Sequence, residues 1–391
     1  MTDQQFDVII AGGGPVGMAL ALALTEYELS VLLLEARKLP ENVSDPRPLA
    51  LSYGSHLLLQ RLGVWEKLTQ ATPITTIHIS NRGHFGHTVL TTDEAGVPAL
   101  GYVVNYHDLY ESMRGLLQAR QVNYQTGAQV SGIQTNSTHA QVTYQQDESN
   151  KLAQSSLLVL ADGGRLAELV EGISYHVHDY QQWAVVSNVR VEAPERGAAF
   201  ERFTLDGPLA LLPSGDDYAL VWTMPAAKAE PILQLDDQSF LTCLHDHFGD
   251  RMGSFIRAGK RSGFPLALKY ASAVTSQRTV LIGNAAQTLH PVAGQGFNLG
   301  LRDAWELVDE IRHMPAGVAG EPGSARMLAM YNQRRRRDKQ AGRLFTDSLV
   351  KLFTADIPLC QTFAGLGLAA LDCLPPVKRF VARRMIFGAR G

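Results

Sequence analysis

The sequence predicts an α/β fold in which a mostly antiparallel sheet is inserted into a doubly wound parallel sheet. Three observations lead to this prediction. A strand, a glycine-rich turn and a helix open the chain within residues 6–24. Short strands separated by turn residues follow between about residues 174 and 268. A buried-strand pattern with a second glycine-rich turn then returns at residues 278–283.

Length and composition limit what the chain can be. Its 391 residues suffice for two joined domains, or for one large domain with an insertion. Hydrophobic residues make up 45% and charged residues 19%, which excludes a mostly disordered chain. The formal net charge of −3 gives no basic excess, so no nucleic-acid partner is expected. The three cysteines form no C-x-x-C pair, so no metal site is expected.

The first elements form a β-α-β unit. Residues 6–11 have the short apolar pattern of a buried parallel strand, residues 15–24 are rich in Ala and Leu, and residues 30–35 form a second apolar run. This order is the beginning of a Rossmann-type domain.

The turn inside this unit reads GGGPVG at residues 12–17 and satisfies the pattern G-x-G-x-x-G. Gly12 permits the tight turn, Gly14 lets a pyrophosphate approach the backbone, and Gly17 allows close packing of helix and strand. Glu35 ends the second strand, where its carboxylate can accept hydrogen bonds from ribose hydroxyls and would repel a 2′-phosphate. The sequence therefore predicts a site for FAD or NAD, and this motif alone does not separate the two.

The middle of the chain predicts helices and then the inserted sheet. Helices are expected at residues 52–62 and 108–119, a buried strand at 157–161, and antiparallel strands at 183–191, 200–204, 209–212 and 218–223. The first domain is thus expected to comprise residues 1–173 and 269–352, with strands of the second domain also within 75–105. Residues 174–268 form the second domain, and 353–391 a C-terminal region.

The second glycine-rich turn lies between a strand at residues 278–283 and a helix from about residue 297 to 314. A helix N-terminus at this place can stabilise negative charge through its unpaired N–H groups and its dipole. A flavin needs two such features, one for its diphosphate and one for the N1–C2=O edge of the reduced ring. The pair of turns therefore favours FAD over NAD.

The run HPVAGQGFNLGLRD at residues 290–303 resembles the signature of the ubiquinone-biosynthesis monooxygenases, within the group A FAD-dependent aromatic hydroxylases. Asp162, in the run ADG at residues 161–163, resembles the central Asp-Gly motif of that group. Arg47, in the run RPLALS, resembles the family arginine that lies near the cofactor. The resemblance covers essentially the whole chain.

This resemblance implies an aromatic hydroxylase-like fold, with a Rossmann-type FAD-binding domain and an inserted substrate-domain sheet. It implies non-covalent FAD, NAD(P)H as transient reductant, and hydroxylation of a polyprenylated phenol by a C4a-hydroperoxyflavin. Residues 200–204, 207–213 and 259–262 resemble the branch that acts on 2-octaprenyl-6-methoxyphenol. Sister hydroxylases of other ring positions, a flavin-dependent prenyl reductase or dehydrogenase, and a non-enzymatic FAD-binding scaffold remain alternatives.

The site residues follow from the same resemblance. The residues expected to bind FAD are Gly12, Gly14, Gly17, Glu35, Arg47, Asp162, Asn284, Gly296 and Asn298. The loop whose backbone is expected to hold the flavin peroxide contains Pro291, Gly294, Gln295 and Gly296. The side chains expected to roof the substrate include Phe203, Leu211 and Trp222.

The chain departs from the family pattern at two places. Asn284 stands where the family usually has aspartate, so it cannot take a charged role, although its amide can still hydrogen-bond a ribityl hydroxyl. Asp162 is followed by GGR without the usual serine. No residue that removes the phenol proton can be named from the sequence.

The C-terminal region has an unusual charge pattern. Residues 373–391 contain five basic and no acidic residues, interleaved with apolar ones. This pattern predicts an amphipathic helix on an anionic membrane surface or on a partner, such as other ubiquinone-biosynthesis proteins, and an ordinary packed helix is the alternative. With no signal peptide and no membrane span expected, we predict a cytoplasmic protein that touches the inner face of the membrane. The four arginines at 334–337 predict a solvated helix face.

Overall fold

The computed structural model of the chain describes residues 4–38, 48–291, 294–314, 321–354 and 358–388. The strands are β1 (Gln4–Ala11), β2 (Val31–Glu35), β3 (Pro48–Ser52), β4 (Ala71–Ile74), β5 (Thr76–Asn81), β6 (His87–Thr91), β7 (Gly101–Asn105), β8 (Asn123–Thr126), β9 (Gln129–Thr135), β10 (Ala140–Gln146), β11 (Ser149–Leu160), β12 (Tyr175–Val191), β13 (Ala198–Thr204), β14 (Gly207–Ser214), β15 (Asp217–Pro225), β16 (Phe255–Ala258), β17 (Ser262–Ala271), β18 (Thr275–Ser276), β19 (Thr279–Leu281) and β20 (Gln287–Thr288). The helices are α1 (Pro15–Leu24), α2 (Tyr53–Arg61), α3 (Thr92–Ala95), α4 (Tyr106–Ala119), α5 (Ala226–Gln234), α6 (Asp237–Phe248), α7 (Gln295–Arg312), α8 (Ala325–Thr354), α9 (Pro358–Cys373) and α10 (Pro375–Phe387).

The first sheet has a parallel centre. Strands β19, β11, β1, β2 and β8 lie side by side and parallel, and β18, β10 and β9 add antiparallel pairs. Both faces are buried: Val8 and Ile10 pack towards α1, α4 and α7, whereas Ile9 and Ala11 pack towards β9 and β10. This explains the unbroken apolar run that predicted a parallel strand. The predicted fold class is confirmed.

The second sheet runs in the order β20-β17-β12-β15-β14-β13-β5-β6, with β16 paired to β12. Its described pairs are antiparallel except β13 with β5, which is parallel. Strands β5 and β6 come from residues 76–91 and β20 from 287–288, so three distant parts of the chain build one sheet. The domain boundaries stay a prediction.

The expectation that three side chains of this sheet cover the substrate is wrong for two of them. Leu211 and Trp222 do not roof the inner side, because both belong to the outer core beneath Phe240 of α6. Phe203 does lie on the inner face, where its ring stacks on Phe353 of α8 with centroids 3.9 Å apart. Helices cover both faces, so both are apolar and alternation alone cannot tell inner from outer positions.

A small sheet of β3, β7 and β4 joins the two cores. Leu51 and Val104 belong to the core around α1, whereas Ile74 and Val103 belong to the core under the second sheet. The C-terminal helix α10 packs against α2, α3 and β3. Its residues therefore lie near the junction of the two sheets.

The arginine run at residues 334–337 lies in α8 and is only partly exposed to solvent. Arg334 forms ion pairs with Glu310 and Asp309 of α7, and Arg335 is buried between Asp303 and Asp338. The next two arginines, 336 and 337, are exposed. The predicted solvated face is therefore wrong for the first two arginines of the run.

Candidate functional site

The first glycine turn is closely packed against its own protein. Gly12 has a φ of 120°, and a Cβ on it would overlap the backbone of Ala161 at the end of β11. A Cβ on Gly17 would overlap the carbonyl oxygen of Gly12. These two glycines are thus required by the close approach of β1, α1 and β11.

Gly14 is different because the protein itself does not require it. It is the N-cap of α1, with φ −74° and ψ 171°, and a Cβ on it would meet no atom within 4 Å. The open space lies at a helix N-terminus, where unpaired N–H groups and the helix dipole favour an anion. This geometry fits the diphosphate of FAD, which the turn would hold through backbone N–H groups.

The Glu35 carboxylate is buried and holds the turn together. One oxygen, Oε2, accepts a hydrogen bond from the Gly13 N–H at 2.9 Å. The other, Oε1, accepts from the Arg37 N–H at 2.9 Å and from Arg37 Nε at 3.0 Å. The residue therefore fixes the turn in the protein, and its contact with the adenosine ribose stays a prediction.

The Asp162 side chain caps a turn after β11. Its carboxylate accepts hydrogen bonds from the N–H groups of Gly164 at 3.2 Å, and of Arg165 and Leu166 at 2.7 Å each. Gly163 has a φ of 80° and open space where a Cβ would stand. The loop lies beside the first glycine turn, and its contact with the cofactor stays a prediction.

The second glycine turn repeats the pattern of the first. Gly294 is the N-cap of α7 with a φ of 60°, and a Cβ on it would stand 2.9 Å from Ala50 Cβ. A Cβ on Gly296 would meet no atom within 4 Å. One glycine is again required by packing, and the other faces open space at a helix start, as a flavin ring edge would need. Asn284, in the turn after β19, is exposed.

The Asn298 amide is fully used within the protein. Its Oδ1 accepts from the Ser52 N–H at 2.8 Å and from Ser55 Oγ at 2.7 Å. Its Nδ2 donates to the carbonyl oxygens of Ala50 at 2.9 Å and Gly294 at 2.7 Å. An amide has two donors and two acceptor positions, so no polar atom of this side chain is left for a ligand. The Asn298 side chain thus positions the loop against β3 and α2. A contact between the Asn298 backbone and the cofactor stays a prediction.

Two parts of the predicted site lie outside the described residues. Arg47 is one of them, and residues 292–293 of the loop are the other. Pro291, whose carbonyl oxygen accepts from the Gly294 N–H at 3.1 Å, and Gln295, which is buried, flank that gap.

No sequence pattern assigned a role to Asp303, although it ends the quoted run. Its carboxylate is fully buried in α7, and Oδ2 accepts the Gly283 N–H at 3.0 Å. Oδ1 lies 2.7 Å from Arg335 Nε. The arginine run and the second glycine turn were each visible in the sequence, but only the structure shows that this carboxylate connects them.

An apolar chamber lies next to the start of α7. Gln295 lines it on the loop side, and Ile77 and Leu90 line it from the second sheet. Ala382 and Ile386 of α10 form another wall. The C-terminal region thus contributes to the site, which the charge pattern of its sequence did not indicate.

His290 is buried at the edge of the loop. Its Nε2 lies 3.3 Å from Gln182 Oε1, and its ring meets the Tyr180 ring edge-on with centroids 5.2 Å apart. Burial lowers the pKa of this imidazole to about 4, so it is neutral near pH 7.

We expect the free energy of unfolding to decrease as the pH falls from about 6.5 to about 4. Because the folded pKa of His290 lies below the ordinary value, the unfolded chain binds the proton more readily in this interval. The loss should reach about 3 kcal/mol. Urea unfolding at several pH values should show that the free energy of unfolding decreases less with falling pH in His290→Gln than in wild type. His84 is exposed, so His84→Gln should show the same decrease as wild type. Equal pH dependence in all three proteins would contradict this assignment.

Comparison with known proteins places this geometry in a family. A sequence model of the FAD binding domain matches residues 5–343. The chain is 33% identical to the ubiquinone hydroxylase UbiL of Rhodospirillum rubrum, over 97% of this chain and 89% of that protein. It is 29% identical to the 3-demethoxyubiquinol 3-hydroxylase of Escherichia coli, over 97% of this chain and 98% of that protein.

Solved structures show the same fold. The p-nitrophenol 4-monooxygenase PnpA of Pseudomonas putida superposes with a TM-score of 0.78 at 14% identity, over 99% of this chain and 100% of that chain. PqsL of Pseudomonas aeruginosa superposes with a TM-score of 0.75 at 18% identity, over 93% of this chain and 100% of that chain. At these identities the likeness concerns the fold alone.

Proposed function

This chain belongs to the FAD binding domain family and is an FAD-dependent monooxygenase, and we propose that it hydroxylates a polyprenylated phenol of ubiquinone biosynthesis. Two of its relatives are named as hydroxylases of ubiquinone or of demethoxyubiquinol. The substrate we propose is 2-octaprenyl-6-methoxyphenol, because the stretches at residues 200–204, 207–213 and 259–262 resemble the branch that acts on it.

The observation that carries the proposal is the apolar chamber beside Gln295. It lies between the loop expected to hold the flavin ring and the inner face of the second sheet. Bound FAD, reduced by NAD(P)H, would supply the oxygen chemistry. The chain's own residues would orient the ring and exclude water. The chamber measures about 70 Å³, room for about two waters, so we expect the flexible Met385 side chain to move when a ring enters.

The test is the quinone precursor that accumulates in cells lacking this protein, measured by mass spectrometry. Accumulated 2-octaprenyl-6-methoxyphenol supports the specific substrate, whereas another precursor moves the assignment to a sister hydroxylase. Incorporation of ¹⁸O from ¹⁸O₂ into the product of the purified enzyme separates hydroxylation from a reductase reaction. Bound FAD that NAD(P)H cannot reduce, even with the phenol present, would indicate a scaffold instead.

We further propose that the protein is cytoplasmic and rests on an anionic membrane surface through α10. None of the helices that the structure describes combines the length and apolarity needed to cross a bilayer. The outer side of α10 carries Val377 and Phe380, which are 47% and 59% exposed. The exposed Arg379 and Arg383 lie beside them. Apolar and basic side chains on one exposed surface suit the interface of an anionic bilayer, from which a polyprenyl tail would also come.

The double variant Val377→Ser, Phe380→Ser should bind vesicles of phosphatidylglycerol and phosphatidylethanolamine at least about tenfold more weakly than wild type, because apolar burial at the interface is lost. Flotation with the vesicles measures this. Ile256→Ser is the control, since this side chain is 56% exposed but lies on β16. If the double variant floats as well as wild type, the outer side of α10 is not the membrane contact, and a protein partner becomes the better explanation.

A further inference from the structure

Glu201 is an acidic residue in the middle of an otherwise largely apolar strand. Side chains alternate along a strand, so Ala199 and Phe203 share the face of β13 on which Glu201 lies. Ala199 belongs to the core around Leu90 and Ile386, and Phe203 belongs to the core around Phe353. The carboxyl group therefore lies between two apolar clusters, on the inner face of the second sheet.

The strand register brings this carboxyl close to the chamber. Glu201 lies opposite Ile79 of β5 and Ala210 of β14. Ile77, the neighbouring residue on the same face of β5, lies opposite Ala199 and lines the chamber together with Gln295. Positions two residues apart along a strand are about 7 Å apart, which is within the reach of a glutamate side chain and one hydroxyl group.

The Glu201 carboxyl has no polar partner within the part of the chain that the structure describes. Among the described residues, the Glu201 side chain makes no hydrogen bond or ion pair. It is half-buried, and its oxygens are not sealed from open space. The surrounding apolar groups raise its pKa to about 7. An unpaired carboxyl in such surroundings lowers stability, and such a cost is typical of functional positions.

Three acidic groups on the helices packed around this face have other partners, and the Tyr180 hydroxyl there donates a hydrogen bond to Asp347. Glu94 and Asp372 each pair with Lys378, and Asp347 pairs with Lys351. On β13 itself, Arg202 points to the opposite face. A titration near pH 7 that disappears when Glu201 is replaced would therefore belong to this residue.

We propose that Glu201 is a catalytic residue that accepts the proton of the substrate's phenol hydroxyl, an inference that rests on the proposed function. The phenol O–H bond breaks, its proton bonds to a carboxylate oxygen of Glu201, and the electron pair stays on the phenolate oxygen. The resulting phenolate has more electron density on its ring carbons, which favours attack on an electrophilic oxygen. The proton later leaves to solvent, so no further reactant is needed. A base with a pKa near the working pH is the most effective kind.

The experiment uses the FAD-loaded enzyme, NADH and NADPH in parallel assays, and a 6-methoxyphenol with a single short prenyl group at position 2. For wild type, kcat/KM for hydroxylation should rise with pH and level off above about 7, since only the ionised carboxylate accepts a proton. Glu201→Gln should lower the rate at least about 100-fold and remove this inflection. Glu201→Asp should restore part of the rate. The control is Glu230→Gln, an exposed residue of α5, which should match wild type.

A binding measurement separates catalysis from folding. The ultraviolet difference spectrum of the bound phenol should show phenolate at lower pH in wild type than in Glu201→Gln. Wild type and Glu201→Gln should retain FAD equally. If Glu201→Gln hydroxylates at the wild-type rate with the same pH profile, the inference is overturned and the proposed function stands. If wild type hydroxylates no prenylated phenol, the proposed function fails and this inference fails with it.

Discussion

Gly14→Ala is expected to fold as wild type does and yet to bind FAD at least about 100-fold more weakly, a loss of about 3 kcal/mol. Alanine tolerates the φ of −74° and ψ of 171° at this position, and its Cβ would meet no protein atom within 4 Å. The added methyl group would instead occupy the space through which a diphosphate reaches the N–H groups at the start of α1. Titration of the apoprotein with FAD measures the affinity, and its urea midpoint measures stability.

Two other glycines serve as controls for this prediction. Gly115→Ala, inside α4, also has open space around the new Cβ and should bind FAD normally with equal or slightly higher stability. Gly17→Ala should lose both stability and FAD, because its Cβ overlaps the carbonyl oxygen of Gly12. A Gly14→Ala protein that retains FAD with wild-type affinity would show that this turn is not the diphosphate site.

Arg335→Ala is expected to lower the free energy of unfolding by about 3–5 kcal/mol. The guanidinium is buried, with Nε 2.7 Å from Asp303 Oδ1 and Nη1 2.5 Å from Asp338 Oδ2. Removing it leaves two buried carboxylates with less compensation, which costs more than the ion pairs alone contribute. Because Asp303 also accepts the Gly283 N–H, we expect the second glycine turn to shift and FAD affinity to fall.

The neighbouring residue offers a matched control. Arg336 follows in the same helix but is exposed, so Arg336→Ala should change the free energy of unfolding by less than about 0.5 kcal/mol. Urea unfolding of the two variants and wild type measures the difference. Equal, small effects for both arginines would mean that the buried network around Asp303 contributes nothing to stability.

The parts of the fold that the sequence predicted depend on local patterns. The apolar run of β1, the turn at Gly12–Gly17 and helix α1 occupy one continuous segment, so periodicity and glycine spacing suffice to recognise them. The second glycine turn was recognisable for the same reason. The confirmed fold class depends on these local units.

The rest depends on distant pairing. Whether Leu211 or Phe203 faces inwards is decided by which strands meet across the sheet, and a shift of one residue reverses the answer. Glu201 lacks a polar partner partly because it lies opposite Ile79 of β5, more than a hundred residues earlier in the chain. The chamber wall formed by Ala382 is likewise invisible to patterns within α10.

The position of α10 has a consequence for how the enzyme matures on the ribosome. The N-terminal strands emerge first, and the loop that ends at Gln295 follows well before the wall formed by Ala382 and Ile386. A nascent chain can therefore form its nucleotide site while the chamber proposed for the aromatic ring is still open on one side. Synthesis of α10 adds the missing wall of the chamber, so the chain can bind a nucleotide before it can enclose a substrate there.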